Sequence, residues 1–204
     1  MTVINYQDRE ITCKIVYFGP ARSGKTTNLQ WIHEQVPSDR RGDIVSIATQ
    51  SDRTLFFDFL PLDLGVISGF TTRLNLYTVP GQPQYESTRR IVLKGADGVV
   101  FVADSRAEML DENAGALADL HVYLHSHGVD PRTVPLVMQY NKQDLPSQLR
   151  TSSDELDKVL NYRRVPRIAA AALRGAGVFH ALNAVTTAVL HQLAERSRPA
   201  EQVA

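Results

Sequence analysis

The sequence predicts a single α/β domain with a mixed, mostly parallel six-stranded sheet flanked by helices. Strand-like and helix-like segments alternate along most of the 204 residues. Two near-continuous apolar runs, 96–105 (ADGVVFVADS) and 134–141 (VPLVMQYN), are typical of central parallel strands covered on both faces. Two further strand-like runs, 54–60 and 70–79, are close enough along the chain to form a hairpin. Such a pattern favours an open, doubly wound sheet.

The remaining elements follow from the spacing of apolar residues. Residues 11–18 (ITCKIVYF) are apolar and rich in β-branched side chains, which favours a strand. Leu29, Ile32 and Val36 lie at helical spacing within 26–36, and Pro37 ends that helix. The other predicted elements are helices at 107–127, 153–160 and 178–196, a last strand at 167–172, a turn-rich link at 61–69 and a long polar loop at 37–54.

Composition excludes several classes of protein. The 22 Lys and Arg residues balance the 22 Asp and Glu residues, so no net field attracts nucleic acid. The apolar runs are too short to span a bilayer, and neither Thr2 nor the ending EQVA carries a lipidation motif. The single cysteine, Cys13, fits a reducing compartment. We expect a cytoplasmic monomer with no direct membrane anchor, recruited to a pole or membrane only by partners, with its domain at 1–198 and a flexible tail at 199–204.

A phosphate-binding motif follows the first strand. Residues 19–27 (GPARSGKTT) fit G-x-x-x-x-G-K-[ST] between a strand and a helix. The two glycines allow the backbone to wrap around phosphate oxygens, whose charge the N–H groups and the helix N-terminus stabilise. We expect Lys25 to contact the β- and γ-phosphates and to assist catalysis, and the Thr26 hydroxyl to ligate Mg²⁺. The predicted nucleotide contacts here are Gly19, Arg22, Ser23, Gly24, Lys25, Thr26 and Thr27.

A second motif, NKQD at 141–144, predicts which nucleotide binds. It follows an apolar strand at its carboxyl end, where ligands bind in such sheets. The Asp144 carboxylate can accept hydrogen bonds from guanine N1–H and from its exocyclic amine, whereas adenine has neither donor on that edge and leaves the carboxylate unpaired. We therefore expect GTP and GDP as ligands, with Asn141, Lys142 and Asp144 at the base.

Together these motifs resemble the small Ras-like GTPases across residues 11–196. In that family, the third strand ends in D-x-x-G, usually followed by Gln, and residues 80–82 (PGQ), after the third predicted strand of this chain, match the end of that motif. The resemblance implies that the Gly81 backbone contacts the γ-phosphate and that Gln82 orients the attacking water.

The acid of that motif is replaced by Thr78. In the family this Asp contacts Mg²⁺ through water and holds the hydroxyl of the phosphate-binding loop, and Thr78 cannot do so as an anion. Asp52 and Asp58 flank or occupy the preceding strand and are the candidates for the missing charge. The residues alone leave open whether Asp58 has this role or is an edge-strand side chain facing water.

More specifically, the segments KIVYFGPARSGKTTNL, RTLFFDFLPL, LYTVPGQ and NKQD resemble the bacterial MglA group of small GTPases. The resemblance implies a switch in cell polarity and gliding motility, with a Roadblock-type MglB homodimer as GTPase-activating partner and with motility or polarity effectors. It also implies that Thr54 senses the γ-phosphate and Mg²⁺ and that Arg53 is an intrinsic arginine finger. From the residues alone, Arg53 is an arginine in a polar loop.

The last base-contacting loop of the family usually reads S-A-K, and residues 170–173 (AAAL) occupy its place. We expect the Ala172 backbone N–H to reach guanine O6, while Leu173 replaces the lysine. Two other functions stay open at this point. One is a GTP-binding module with negligible hydrolysis, motivated by Thr78. The other is a P-loop nucleotide kinase, which NKQD and Gln82 disfavour.

Overall fold

A computed structural model describes residues 3–48 and 56–196 of the chain. Asp52, Arg53, Thr54 and the tail at 199–204 lie outside the described residues. The strands are β1 (Val3–Asn5), β2 (Glu10–Phe18), β3 (Val45–Ala48), β4 (Phe56–Ile67), β5 (Phe70–Thr78), β6 (Gly98–Asp104), β7 (Leu136–Asn141) and β8 (Arg167–Ala169). The helices are α1 (Lys25–Gln35), α2 (Glu86–Leu93), α3 (Leu110–Ser126), α4 (Ser153–Leu160) and α5 (Val178–Arg196).

The described strands form one mixed sheet in the order β3-β4-β5-β2-β6-β7-β8, with β1 antiparallel to the start of β2. Strands β5, β2, β6, β7 and β8 are parallel, and the β3–β4 and β4–β5 pairs are antiparallel. The predicted α/β class is confirmed. Every residue of β6 and of β7 is buried, as expected for central strands between two helical layers.

Two short strands raise the predicted count of six to eight among the described residues. Strand β1 has three residues, and β3 lies inside the predicted loop at 37–54. As an edge strand, β3 is held by backbone pairing with β4. Its Val45 and Ile47 are 46% and 36% exposed. The alternation of Val45, Ser46 and Ile47 covers only three residues, which is too short to indicate a strand within a polar segment.

The hairpin is also longer than the sequence predicted. Strand β4 continues through Pro61 to Ile67, across the segment expected to be a turn-rich link. Its pairing with β5 shifts register between Asp63 and Val66. The turn itself is the pair Ser68 and Gly69, with φ of 51° and 84°. Positive φ at both central residues is what the type I′ turn of a two-residue hairpin requires.

Helices cover both faces of the sheet. Apolar side chains of α1 and α5, such as Ile32 and Val185, pack on one face, and those of α2, α3 and α4, such as Leu120 and Leu156, pack on the other. The predicted bounds of α4 and α5 agree with the structure, and α3 begins after a short 3-10 turn. No helix within the described ranges has the length and apolar character needed to cross a membrane.

This architecture places the predicted motifs together. Strands β2, β6 and β7 are parallel neighbours, so their carboxyl ends meet at one edge of the sheet. Residues 19–27 follow β2 and connect it to α1, and residues 142–144 follow β7. The ligand edge of an open α/β sheet is formed in this way.

Candidate functional site

The loop between β2 and α1 has a backbone that needs glycine at two positions. Gly19 has φ of 147°, and a Cβ there would overlap the carbonyl oxygen of Val102. Gly24 has φ of 102°, precedes the first residue of α1, and would overlap the side-chain amide of Asn141. The loop is therefore packed closely against β6 and β7, with the N-terminus of α1 at its end.

Lys25 is a buried cation whose described partners are neutral. Its side chain donates to the carbonyl oxygens of Gly19 (2.9 Å) and Pro20 (2.5 Å) and, at 3.4 Å, to the Ser23 hydroxyl. Burial, followed by the positive charge of Arg89, lowers the pKa of Lys25 to about 7. An anion beside this ammonium would favour its charged form. The site thus fits phosphate.

Thr26 is joined to a buried carboxylate on the hairpin. Its hydroxyl donates to Asp58 Oδ2 at 2.7 Å, and the Thr78 hydroxyl donates to the same oxygen at 2.9 Å. Ser46 donates to the other carboxylate oxygen at 2.8 Å. The register explains the contact between strands, because Phe59 lies opposite Tyr77 and so places Asp58 beside Thr78.

These contacts answer the question that the sequence left open about Asp58. The residue is 8% exposed, so the interpretation as an edge-strand side chain facing water is wrong. Its described side-chain partners are all hydroxyl groups, none of which cancels its charge. Carboxylate and hydroxyl oxygens are suitable ligands for Mg²⁺, bound directly or through water. The Asp58 and Thr26 oxygens therefore fit a metal site.

The loop after β5 lies against the loop after β2. A Cβ at Gly81 would overlap the backbone of Pro20 and Ala21, so the two main chains are in direct contact. The Gln82 side chain is exposed. A cavity of about 430 Å³ is bounded by both loops and by the Asp58 and Thr78 pair. Its lining residues are Ala21, Arg22, Gly24, Lys25, Thr26, Thr27, Phe57, Asp58, Thr78, Val79, Pro80, Gly81 and Gln82.

Asn141 connects the loop between β2 and α1 to the segment after β8. Its side-chain amide donates to the Ser23 carbonyl at 2.7 Å, and its Oδ1 accepts from the Ala172 N–H at 2.8 Å. The predicted base-binding and phosphate-binding segments are thus joined by direct hydrogen bonds. The Ala172 N–H already has a partner here, so its predicted contact with guanine would share or replace this bond.

Ion pairs orient Lys142 and Asp144, the two charged residues of NKQD. Lys142 donates to Asp104 at 2.6 Å, and Arg106 pairs with the same buried carboxylate. Burial alone would raise the pKa of Asp104, but hydrogen bonds from Arg106 and Lys142 outweigh it and lower the pKa. Asp144 lies 3.5 Å from the guanidinium of Arg174. Sequence reasoning missed Asp104 and Arg174. An acid ending a buried strand was the signal for Asp104, and Arg174 had none.

Comparisons with known proteins agree with this geometry. The model of the ADP-ribosylation factor family matches residues 2–189. The chain is 51% identical to the mutual gliding-motility protein MglA of Myxococcus xanthus (strain DK1622) over 193 residues, which cover 95% of this chain and 98% of that protein. It is 32% identical to ADP-ribosylation factor-like protein 2 of Drosophila melanogaster over 155 residues, which cover 76% and 72% of the two chains.

The arrangement of the motifs in the structure agrees with the family that the comparisons indicate. The glycine-rich loop with its lysine and threonine, the TVPGQ segment and NKQD stand at one edge of a mixed, mostly parallel sheet. Both the family match and the 51% identity extend over nearly the whole chain. The chain belongs to the ADP-ribosylation factor family of small Ras-like GTPases and is of the MglA type.

Proposed function

We propose that this GTPase is a Mg²⁺-dependent switch, built from residues 1–198, that alternates between GTP and GDP states and regulates gliding motility or cell polarity. The observation that supports it most is the shared cavity, since Lys25, Thr26, the Asp58 carboxylate and the Pro80–Gln82 loop all border one space. The motility role rests on the similarity to the Myxococcus relative, a mutual gliding-motility protein.

In this proposal the first loop binds the phosphates. Backbone N–H groups from Gly19 to Thr27, including those of Arg22, Ser23 and Gly24, surround the phosphate oxygens, and Lys25 Nζ exchanges its carbonyl partners for them. Thr26 and Thr54 ligate Mg²⁺, and Asp58 accepts from the Thr26 hydroxyl. When bound, Mg²⁺ offsets the charge that develops on the β- and γ-phosphate oxygens. Asn141, Lys142, Asp144 and Ala172 bind guanine.

Hydrolysis in such a site is mainly positioning and charge stabilisation, without a covalent nucleophile on the protein. Gln82 orients the attacking water, the Gly81 backbone contacts the γ-phosphate, and Arg53 stabilises charge in the transition state. Because the Gln82 side chain is exposed, packing does not hold it in one position. A site that is not preorganised is slow, and we therefore infer slow intrinsic turnover.

A partner protein would hold the catalytic side chains in position. We propose that a Roadblock-type MglB homodimer binds the GTP form and fixes Arg53 and Gln82, and that motility or polarity effectors read the same form. Recruitment of an otherwise cytoplasmic, monomeric protein to a cell pole would follow from such partners. Equal affinity of the Roadblock protein for the GDP form and for a GTP-analogue form, measured in a pull-down assay, would rule out this partner as a reader of the switch.

Single-turnover hydrolysis with the purified partner tests the catalytic roles. Gln82→Ala and Arg53→Ala should each lower the stimulated rate by about 10³-fold, the scale of an arginine finger. Nucleotide affinity should be nearly unchanged, because these groups act mainly in the transition state. Lys25→Ala is the contrasting variant, expected to lose affinity. Wild-type rates in the Gln82 and Arg53 variants would overturn the mechanism.

The alternative of a binding module with negligible hydrolysis was motivated by the missing acid at Thr78. The Asp58 carboxylate, 2.7 Å from the Thr26 hydroxyl, provides an acid beside that hydroxyl. This contact favours the hydrolase.

A further inference from the structure

Arg89 on α2 is a buried cation with no role in the function proposed above. The neighbouring Arg90 lies on the solvated face of α2, since its side chain is 45% exposed and pairs with Glu86 one turn earlier. Arg89 differs, because it is only 6% exposed. Burying a guanidinium is costly unless it is paired and hydrogen-bonded, so its contacts need an explanation.

One side of the Arg89 guanidinium binds the loop that carries Gln82. Nη1 donates to the Gln82 carbonyl oxygen at 2.6 Å and, more weakly, to the Pro80 carbonyl oxygen at 3.5 Å. A hydrogen bond from a charged donor is roughly twice as strong as a neutral one. The two carbonyls flank Gly81, whose Cα faces the backbone of Ala21. The loop is therefore held between the first loop on one side and Arg89 on the other.

The other side of the guanidinium is anchored on α3. Nη2 donates to the Tyr123 hydroxyl at 3.4 Å and lies 3.6 Å from the Asp119 carboxylate. Tyr123 is itself a core residue, 3% exposed and packed against Phe18. Helix α3 thus provides a rigid support, and Arg89 transmits its position to the Gln82 main chain.

Two further observations concern the Arg89 guanidinium. Its charge acts on Lys25, where it is the largest charge effect on that ammonium. Its Nε–H is buried and has no hydrogen-bond partner among residues 3–48 and 56–196. The guanidinium therefore keeps one unpaired donor beside the contacts made by its two other nitrogens.

We propose that Arg89 is a positioning residue for GTP hydrolysis, which holds the Pro80 and Gln82 carbonyls against α3 and so sets the place from which the Gln82 side chain reaches water. This inference rests on the proposed role of Gln82. The Gln82 side chain is exposed, so its main chain is the part of the residue that Arg89 can fix. A displacement of about 1 Å at a reacting centre can cost about 10²-fold in rate.

Matched variants on α2 test this. Arg89→Met removes the guanidinium, whereas Arg90→Met removes the same charge one residue away without touching the loop. We expect Arg89→Met to lower partner-stimulated single turnover by about 10-fold or more, with GDP affinity changed by less than about 3-fold. Arg90→Met should hydrolyse like wild type. Tyr123→Phe removes one anchoring hydroxyl and should give a smaller loss of rate, while the buried ring is retained.

The melting temperature and the rate of a second variant show whether a loss of rate is only a loss of folding. Arg89→Lys keeps a cation on a long stem but cannot form the same fork of donors, so its melting temperature should lie near that of wild type while its rate stays low. If the rates of Arg89→Lys and Tyr123→Phe equal that of wild type, Arg89 does not position the loop. If GDP affinity falls in proportion to the rate in all three variants, Arg89 is a structural residue and the proposal is wrong.

A double-mutant cycle with Gln82→Ala separates this inference from the function on which it rests. If Arg89 acts through Gln82, the double variant should be no slower than Gln82→Ala alone. Additive losses would overturn the inference while leaving Gln82 as a catalytic residue. A slow Gln82→Ala beside a normal Arg89→Met would do the same. A Gln82→Ala variant with wild-type rate would refute the proposed function, and the inference with it.

Discussion

The hydroxyl of Thr26 donates a 2.7 Å hydrogen bond to the carboxylate of Asp58, which lies 32 positions further along the chain. The same oxygen accepts a bond from Thr78, at the position where Ras-like relatives carry an acid. The carboxylate that accompanies the threonine of the phosphate loop therefore stands on β4 instead of at the end of β5. Thr78 keeps a role as the donor that holds it.

Because this space already contains a carboxylate, Thr78→Asp should be harmful. Two carboxylates at hydrogen-bond distance in a buried site repel each other, and one of them takes up a proton. We expect Mg²⁺-dependent retention of GTP to weaken by about 10-fold or more, roughly the effect of one lost hydrogen bond to a charged group. Nucleotide dissociation measured over a Mg²⁺ titration checks it.

Two companion variants make that test specific. Thr78→Ser keeps the hydroxyl and should retain the wild-type Mg²⁺ dependence, whereas Asp58→Asn keeps the hydrogen-bonding shape without the charge and should lose it. If Thr78→Asp binds Mg²⁺ and GTP as well as wild type, then Asp58 does not occupy the functional place of the acid.

Lys25 gives the nucleotide-free protein a pH dependence of known sign. Its pKa in the fold is lowered to about 7 from the usual 10.5, mainly by burial. Between these values the unfolded chain binds more protons than the native one, so this residue's contribution makes stability rise with pH across that window. Below pH 7 both states are charged and the cost of the buried charge is fully present.

Lys25→Met should therefore stabilise the nucleotide-free protein while abolishing tight nucleotide binding. The gain in urea midpoint over wild type should be largest at pH 6.5 and should shrink by pH 9, where wild-type Lys25 is mostly neutral in the fold. A gain that does not depend on pH would mean that Lys25 keeps its charge without a phosphate.

Guanine selectivity should depend on the Asp144 carboxylate. Excess ATP should fail to displace labelled GDP. A site that hydrogen-bonds the donors of one ligand can reject an analogue without those donors by about 10⁴-fold, and adenine lacks the two donors of guanine. Asp144→Asn should lower GDP affinity by about 10²-fold or more, since one charged acceptor becomes a neutral group. The same variant should gain affinity for xanthine nucleotides, whose O2 can accept from the new amide.

Arg174→Ala is the control for that measurement. Arg174 pairs with Asp144 at 3.5 Å, but its own side chain is 73% exposed, and exposed pairs contribute at most about 1 kcal/mol. Selectivity for guanine should therefore be unchanged in Arg174→Ala. Efficient displacement of GDP by ATP from the wild-type protein would contradict the guanine assignment.

The parts of this molecule that the sequence predicted are those in which consecutive residues carry the information. Residues 19–27 and NKQD are contiguous, and the burial of β6 and β7 on both faces follows from their own apolar runs. The role of Asp58 depends instead on register, since Phe59 must lie opposite Tyr77 for Asp58 to meet Thr78.

The orientation of Arg89 also depends on contacts between distant segments, so the sequence does not predict it. Which of two adjacent arginines points inward depends on how α2 is rotated against α3, and neither the composition nor the length of residues 86–93 determines that. The edge strand β3 gains its stability from pairing with β4, so its own side chains carry little information. Contacts between distant segments required the structure.

Replacing Gly81 should affect GTP hydrolysis more than GDP binding, because Gly81 forms the contact between the loop after β5 and the loop after β2. A Cβ at this position would overlap the Ala21 nitrogen and the Pro20 carbonyl carbon, and neither backbone atom can rotate away. Gly81→Ala should therefore push the Pro80–Gln82 segment away from the first loop. Because GDP has no γ-phosphate, its affinity should change by less than about 3-fold, while stimulated single turnover should fall by about 10²-fold.

Gly115→Ala provides the matched control. Gly115 lies in α3, where an added Cβ meets no atom within 4 Å, and alanine in a helix is favoured over glycine by about 1 kcal/mol. This variant should be at least as stable as wild type and should hydrolyse GTP at the same rate. If Gly81→Ala and Gly115→Ala turn over GTP equally fast, the contact of the two loops does not set the catalytic geometry. If Gly81→Ala instead loses GDP affinity and rate together, the added methyl displaces the phosphate loop rather than Gln82.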